Sequence, residues 1–209
     1  MGAANLTTHQ PILQVQNKAN TTPYTSSQPE AAGQTFLSGS LVQLNGSGFV
    51  QIWDGTTTSA GILGVSESFG LNLGSAGSGA PTPPWGQITG SGAIQTYGSV
   101  VNAPNAVNEA IGTPVSEGRT YYEEGNADTI FEATFDNSAG TVAADYTPTQ
   151  ASIGVAYGLT ADGNGYWYVD KNKTGGAAVL QIVALNPLVG SAVNAPVRFI
   201  FLPSALQVL

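Results

Sequence analysis

Nowhere in this chain do apolar residues keep a helical period for more than two turns; they fall in short runs cut apart by Gly, Asn, Asp and Pro. Val50 and Ile52 alternate with Gln51, the pattern of a half-buried strand. Asp54-Gly55 then turns the chain, because Gly accepts positive φ and an Asp side chain bonds the backbone ahead of it. Ile62-Leu63-Gly64-Val65 is a continuous apolar run, read as a buried strand, and Asn45-Gly46 is a strong hairpin signal. Phe36-Leu37, Leu41–Leu44 and the runs up to Ser66 predict three or four short strands. From Arg119 the pattern resumes. Thr129–Phe135 alternates, and Ile153–Leu159 pairs with Tyr166–Val169 across an Asp162-Gly163-Asn164-Gly165 turn. Val179–Leu185 and Val197–Leu202 complete the set before Pro203. The expectation is an all-β protein.

Composition narrows the function. The 209 residues are enough to bury roughly 70% of the unfolded surface, so no cross-link is needed to fold. Only 9% of residues are charged, against about 25% in an average domain, and polarity comes instead from Ser, Thr, Asn, Gln and 27 glycines. Such a surface suits permanent contact with neighbours and also suits secreted adhesins. The net charge of −8, with basic residues only at Lys18, Arg119, Lys171, Lys173 and Arg198, argues against nucleic-acid binding. There is no cysteine, hence no disulfide and no thiolate chemistry. The first twenty residues show no signal-peptide pattern, Leu6 stands where a myristoylation signal wants Ser or Thr, and no run reaches membrane-span length. The expected site of synthesis is a cytoplasm, without membrane association.

Three segments follow from the composition shifts. Residues 1–35 form an extended, polar N-terminal arm punctuated by Pro11, Pro23 and Pro29. Its apolar cluster is Ile12, Leu13 and Val15, too small to offset a backbone entropy of about 1–2 kcal/mol per ordered residue. The arm is therefore either mobile or pinned by a partner, as an added strand would be. Residues 36–118 form a first β lobe that includes a Gly/Pro-rich insertion at 70–118, with a strand at Ile94–Val101 and a helical turn at Ala106–Ile111. Trp85 in that insertion either anchors a neighbouring molecule or caps its own core. Residues 119–209 form a second β lobe, which is separate or interwoven with 36–69.

Catalytic chemistry finds little support. The single histidine, His9, lies in the arm and reads as a chance polar residue, since a triad needs its base locked by a third group. Asp162-Gly163-Asn164-Gly165 begins like a calcium loop, but Trp167 and Lys173 stand where such a loop needs Gly and Glu. Glu123, Glu124 and Asp128 are the densest acidic group, but close neighbours in an extended chain point different ways. Tyr166-Trp167-Tyr168 with Tyr121-Tyr122 could stack sugars or pack a core. The Asn-x-Ser/Thr matches at Asn5, Asn20, Asn45 and Asn172 are expected by chance. The expectation is no catalytic residue, no cofactor and no metal.

Trp53-Asp54-Gly55-Thr56-Thr57 followed by Gly61-Ile62-Leu63 resembles the small decoration proteins on the heads of lambda-type tailed bacteriophages. Ile130–Ala133, Tyr157–Thr160, Trp167–Lys171 and Phe199–Leu202 resemble a broader group of tailed-phage virion proteins. The resemblance implies a short-stranded β-barrel or β-tulip-like domain with an N-terminal arm. It implies a cement protein on the outer capsid surface of the virion, bound to the major capsid protein and to itself as a homotrimer. In that reading Ile12, Leu13 and Val15 of the arm are the candidate capsid anchors, and Trp53, Asp54 and Trp85 are candidate intersubunit contacts. The alternative is a receptor- or glycan-binding β module that relies on Trp167.

Overall fold

The computed structural model describes residues 9–18, 24–31, 34, 36–55, 61–67 and 119–207. The expected insertion, with Trp85, Ile94–Val101 and Ala106–Ile111, lies outside the described residues, as does the Thr56–Ala60 loop. Among the described residues there is no α-helix; 11 strands and four short 3₁₀ turns make up the fold. The architecture is all-β, as the short runs predict.

Five strands close a barrel: β7 (Thr129–Asp136), β8 (Ala156–Ala161), β9 (Trp167–Asp170), β10 (Leu180–Leu185) and β11 (Pro196–Phe201). Neighbours run antiparallel in the order β7, β11, β10, β8, β9, and β9 returns to β7 as a parallel pair, Phe135 opposite Val169 and Asp136 opposite Asp170. Parallel neighbours need a long crossover; residues 137–166, which contain β8, supply it. Alternation fills the interior: Val197, Phe199 and Phe201 of β11 point inward while Arg198 and Ile200 point away. Phe131, Phe199 and Phe201 pack together with centroids 5.1–6.0 Å apart, and Phe135 meets Tyr157 edge-on. The Asp162 turn forms as expected. Asp162 Oδ1 accepts the backbone N–H groups of Asn164 and Tyr166, and Gly165 takes φ +88°.

A second sheet holds β2 (Thr25–Pro29), β6 (Arg119–Glu124), β5 (Gly64–Ser66), β3 (Leu41–Leu44) and β4 (Val50–Ile52), in that order. The expected Asn45 hairpin joins β3 to β4, its Oδ1 accepting from Ser47 and Phe49. A bridge between Glu30 and Val50 curls the sheet toward closure. Phe36, Val42, Val50, Leu63 and Tyr122 fill this sheet, while Leu41, Trp53, Ile62 and Val65 reach into the barrel's own core. The C-terminal segment laces the two: Ile62 N–H donates to Ala205 O, Gln207 N–H to Ile62 O, and the Gln207 amide brackets the Leu44 backbone.

The strands do not divide at residue 119. β6 belongs to the sheet of residues 25–66, and the chain changes sheet in the turn between Glu124 and Thr129. The arm also contributes to both sheets. Its first strand, β1 (Leu13–Asn17), pairs with β7, and its second, β2, pairs with β6.

Backbone proximity gives this packing a sharp test. A Cβ on Gly64 would fall on the Glu123 carbonyl oxygen, whereas one on Gly163 would meet nothing within 4 Å and Gly163 has no positive φ. Gly64→Ala is expected to destabilise by at least about 2 kcal/mol, in the range of core overpacking. Gly163→Ala should be neutral or stabilising by up to about 1 kcal/mol. Urea denaturation of the two variants beside the parent measures both.

Candidate functional site

The described part of the arm from His9 to Lys18 is held by the chain's own barrel, contrary to the expectation that it cannot order itself. β7 offers one edge to two partners: Thr129–Glu132 pair with β1, and Phe135–Asp136 pair with β9. The residues before β1 cross that junction. Ile12 enters the barrel core, Pro11 lies over Gly39, where a Cβ would overlap it, and His9 is buried beyond. Burying Ile12 returns only about 1.5–3 kcal/mol, less than the entropy of ordering a handful of residues at about 1–2 kcal/mol each. Counting apolar side chains alone therefore predicts a loose arm. The β1–β7 ladder and His9 supply the difference.

His9 is clasped from both sides. Its Nε2 lies 2.6 Å from Asp136 Oδ2, its Nδ1 lies 3.1 Å from Asp162 Oδ2, and its backbone N–H donates to the same Asp162 oxygen at 2.8 Å. The ring stacks on Tyr168 with centroids 4.1 Å apart. A carboxylate oxygen faces each ring nitrogen, so a hydrogen on either nitrogen has an acceptor. The ring sits beside a pair of carboxyl groups, since Asp136 and Asp170 are fully buried and directly opposite each other in the β7–β9 pair. Like charges opposed across a ladder repel. Asp170 is further held by the Thr160 hydroxyl and the Ser138 and Asn172 N–H groups. Burial pushes Asp170 up, but these hydrogen bonds outweigh it and hold the carboxyl below its usual range. Burial likewise acts upward on Asp162, and the bonds from His9, Tyr166 and Asn164 bring it below its usual range. The Tyr168 phenol is pushed up to about 12 by burial and then by Asp170 and Asp136. With both ring nitrogens committed to carboxylates, His9 has none left to serve a nucleophile. This arrangement is a clasp.

The clasp was missed in the sequence because His9 stands in a polar segment. A usable signal lay elsewhere: Asp136 and Asp170 each end a strongly apolar strand, and a buried carboxylate needs a partner.

The other candidate residues separate. Ile12 is part of the chain's own core and is not on offer as an anchor; Leu13 is 57% exposed and Val15 half-buried. Trp53 is buried against Trp167, centroids 5.3 Å apart, while Asp54 is exposed beside it. Trp167 is only 5% exposed and Tyr168 is buried too, so of the two readings of this aromatic run, core packing is the one these two side chains follow. Glu123 and Glu124 lie on β6 and Asp128 is exposed in the following turn.

A second feature occupies the barrel end remote from the β2–β6 sheet. Of nine exposed large apolar residues among those described, five lie there: Val142, Val155, Leu188, Val189 and Val193. They belong to the β7–β8 and β10–β11 connections, which are joined by the Asn194 N–H to Tyr146 O bond of 2.8 Å. Asn186 Oδ1 accepts from the Leu188 and Val189 N–H groups, holding the tip in a turn that leaves Leu188 93% exposed.

Glu123 ties the arm to the second sheet. Burial and then the Glu67 charge raise its carboxyl to about 7, against a pull downward from the Gln14 backbone N–H. With its NH₂ turned toward the carboxylate, the Gln14 amide also donates to Glu123 Oε1 at 2.8 Å. A carboxyl raised in the fold contributes stability in full below its ordinary value of 4.5, and that contribution is lost as pH rises through about 7. Melting temperature should therefore fall between about pH 5 and 8, and Glu123→Gln should flatten that fall. At the acid end Asp162 and Asp170 act in the opposite sense: their contribution is present above 3.8 and disappears as pH drops through their lowered values. Thermal melts at a series of pH values check both limbs.

The chain matches no family model, and no curated protein or solved structure matches it.

Proposed function

We propose that this chain is a structural decoration protein that attaches to the outer surface of an expanded tailed-phage head, binding the major capsid protein and further copies of itself, as a homotrimer in the lambda-type pattern. The observation that carries the reading is the crown of Val142, Val155, Leu188, Val189 and Val193 on a chain with 9% charged residues. Apolar side chains grouped at one end of a barrel favour a protein partner over a dissolved substrate. The Trp53–Leu63 resemblance supplies the kind of partner. The net charge of −8 favours a position on the outside of a DNA-filled particle.

Structure changes how the attachment is pictured. With Ile12 in the core and His9 in the clasp, the arm's docked form leaves Leu13 and Tyr24 as the exposed large apolar residues among its described ones. The crown is then the main contact, and the arm an auxiliary one. Several weak contacts joined in one trimer raise effective concentration and so strengthen the grip.

A double substitution, Leu188→Ser with Val189→Ser, is the test. Exposed positions of this kind usually change stability by no more than about 0.5 kcal/mol, so the variant should melt like the parent. Its co-sedimentation with expanded heads should drop at least tenfold. Full occupancy by the variant would remove the crown from the reading, and failure of the parent itself to bind heads would remove the reading. Deleting residues 1–20 is a poorer probe, because it also strips Ile12 and His9 out of the fold.

A further inference from the structure

We propose that residues His9–Asn17 are a releasable strap on a barrel that stays closed without them, and that His9 is the catch that holds the strap down. The inference concerns the isolated chain and stands whether or not it binds a phage head.

Four observations carry it. The ring β7, β11, β10, β8, β9 closes through the parallel β7–β9 pair at Phe135–Val169 and Asp136–Asp170, and β1 pairs with the rest of that β7 edge, Thr129–Glu132, outside the closing contact. The register of the β1–β7 ladder shifts between Gln14 and Gln16, an irregularity that interrupts the pairing. Within the strap, only His9 and Ile12 are buried among the side chains described. The His9 fastening is polar: Asp136 from β7 and Asp162 from the β8–β9 turn bind the ring, Tyr168 of β9 stacks on it, and Asp170 of β9 lies beside Asp136. Apolar packing holds under almost any condition, whereas an ion cluster holds only while its charges match and water stays out. A strand held in part by such a cluster can undock locally while the aromatic barrel core persists.

Undocking bares the Thr129–Glu132 edge of β7 and the acidic seat of His9. His9 is thus a positioning residue for the strap. Its removal should loosen one seam and leave the opposite wall of the barrel alone.

Amide hydrogen exchange on the full chain tests this. His9→Phe keeps a ring on Tyr168 and removes both ion contacts. Exchange at residues 13–17, and at the amides of Thr129–Glu132 that face β1, should quicken at least tenfold, while β10 and β11 stay as slow as in the parent. Asp162→Asn, which preserves the turn acceptor and removes one charge, should do the same to a smaller degree. The chain has no cysteine, so Leu13→Cys with Glu132→Cys, at facing positions in the ladder, forms a lone disulfide. Added to His9→Phe, it should restore slow exchange when oxidised and lose the effect when reduced. Unchanged exchange in both clasp variants would overturn the proposal. So would exchange that quickens equally in β10 and β11 in both variants, since the clasp would then be part of the global core.

Discussion

The parallel pairing of β7 with β9 is the constraint on which the rest of this structure turns. It closes the barrel, and in doing so it sets two aspartates, Asp136 and Asp170, side by side and out of water. Two buried carboxylates in contact register destabilise one another, and an unpaired buried charge costs several kcal/mol. The fold answers with local donors on Asp170 and with a histidine from far away in sequence on Asp136. The ordering of the N-terminal arm is thus tied to the seam: the strap adds a long-range partner to Asp136, which also accepts the Asn137 N–H.

The same seam explains how the two sheets become one body. The strap is gripped by Asp136 and Asp162 on the barrel, and it touches Glu123 of the second sheet through Gln14. Pro11 crosses Gly39 at a distance only glycine allows, with φ of +81° there. From the other direction, Gln207 laces the end of the barrel chain to Leu44. Trp53 and Trp167 meet in the space between. Local sequence patterns sit inside this frame but do not specify it, because every one of these links joins residues remote in the chain.

That contrast marks what could be read directly. Strand runs, the Asn45 hairpin and the Asp162 turn are local, written in residue alternation and in the side-chain oxygens that cap a turn, and they were legible. The assignment of β6 to the earlier sheet was not, because pairing partners are chosen by burial across the whole molecule. His9 was illegible for a related reason: its meaning lies in Asp136 and Asp162, more than 120 residues away. Trp167 shows the ambiguity of strand aromatics. Tyr166, Trp167 and Tyr168 alternate faces, yet Trp167 and Tyr168 are both covered, one by the barrel core and the other by the incoming His9 ring. The crown residues were legible as apolar letters only; their convergence at one barrel end depends on how the β7–β8 and β10–β11 connections meet at Asn194 and Tyr146.

In the proposed reading, the strap and the crown at the far end of the barrel take different parts in binding. The crown is braced by the Asn186 turn and the Asn194 tie, contacts that reduce the conformational entropy a partner must remove. The strap is the conditional element, because undocking it must first break the His9 clasp and empty the Ile12 position. Any partner that competes for the β7 edge therefore pays that opening free energy, and its apparent affinity falls by the fraction of molecules already open. Tight clasping protects an exposed strand edge from promiscuous pairing while the chain is alone, which is how β proteins avoid edge-to-edge aggregation.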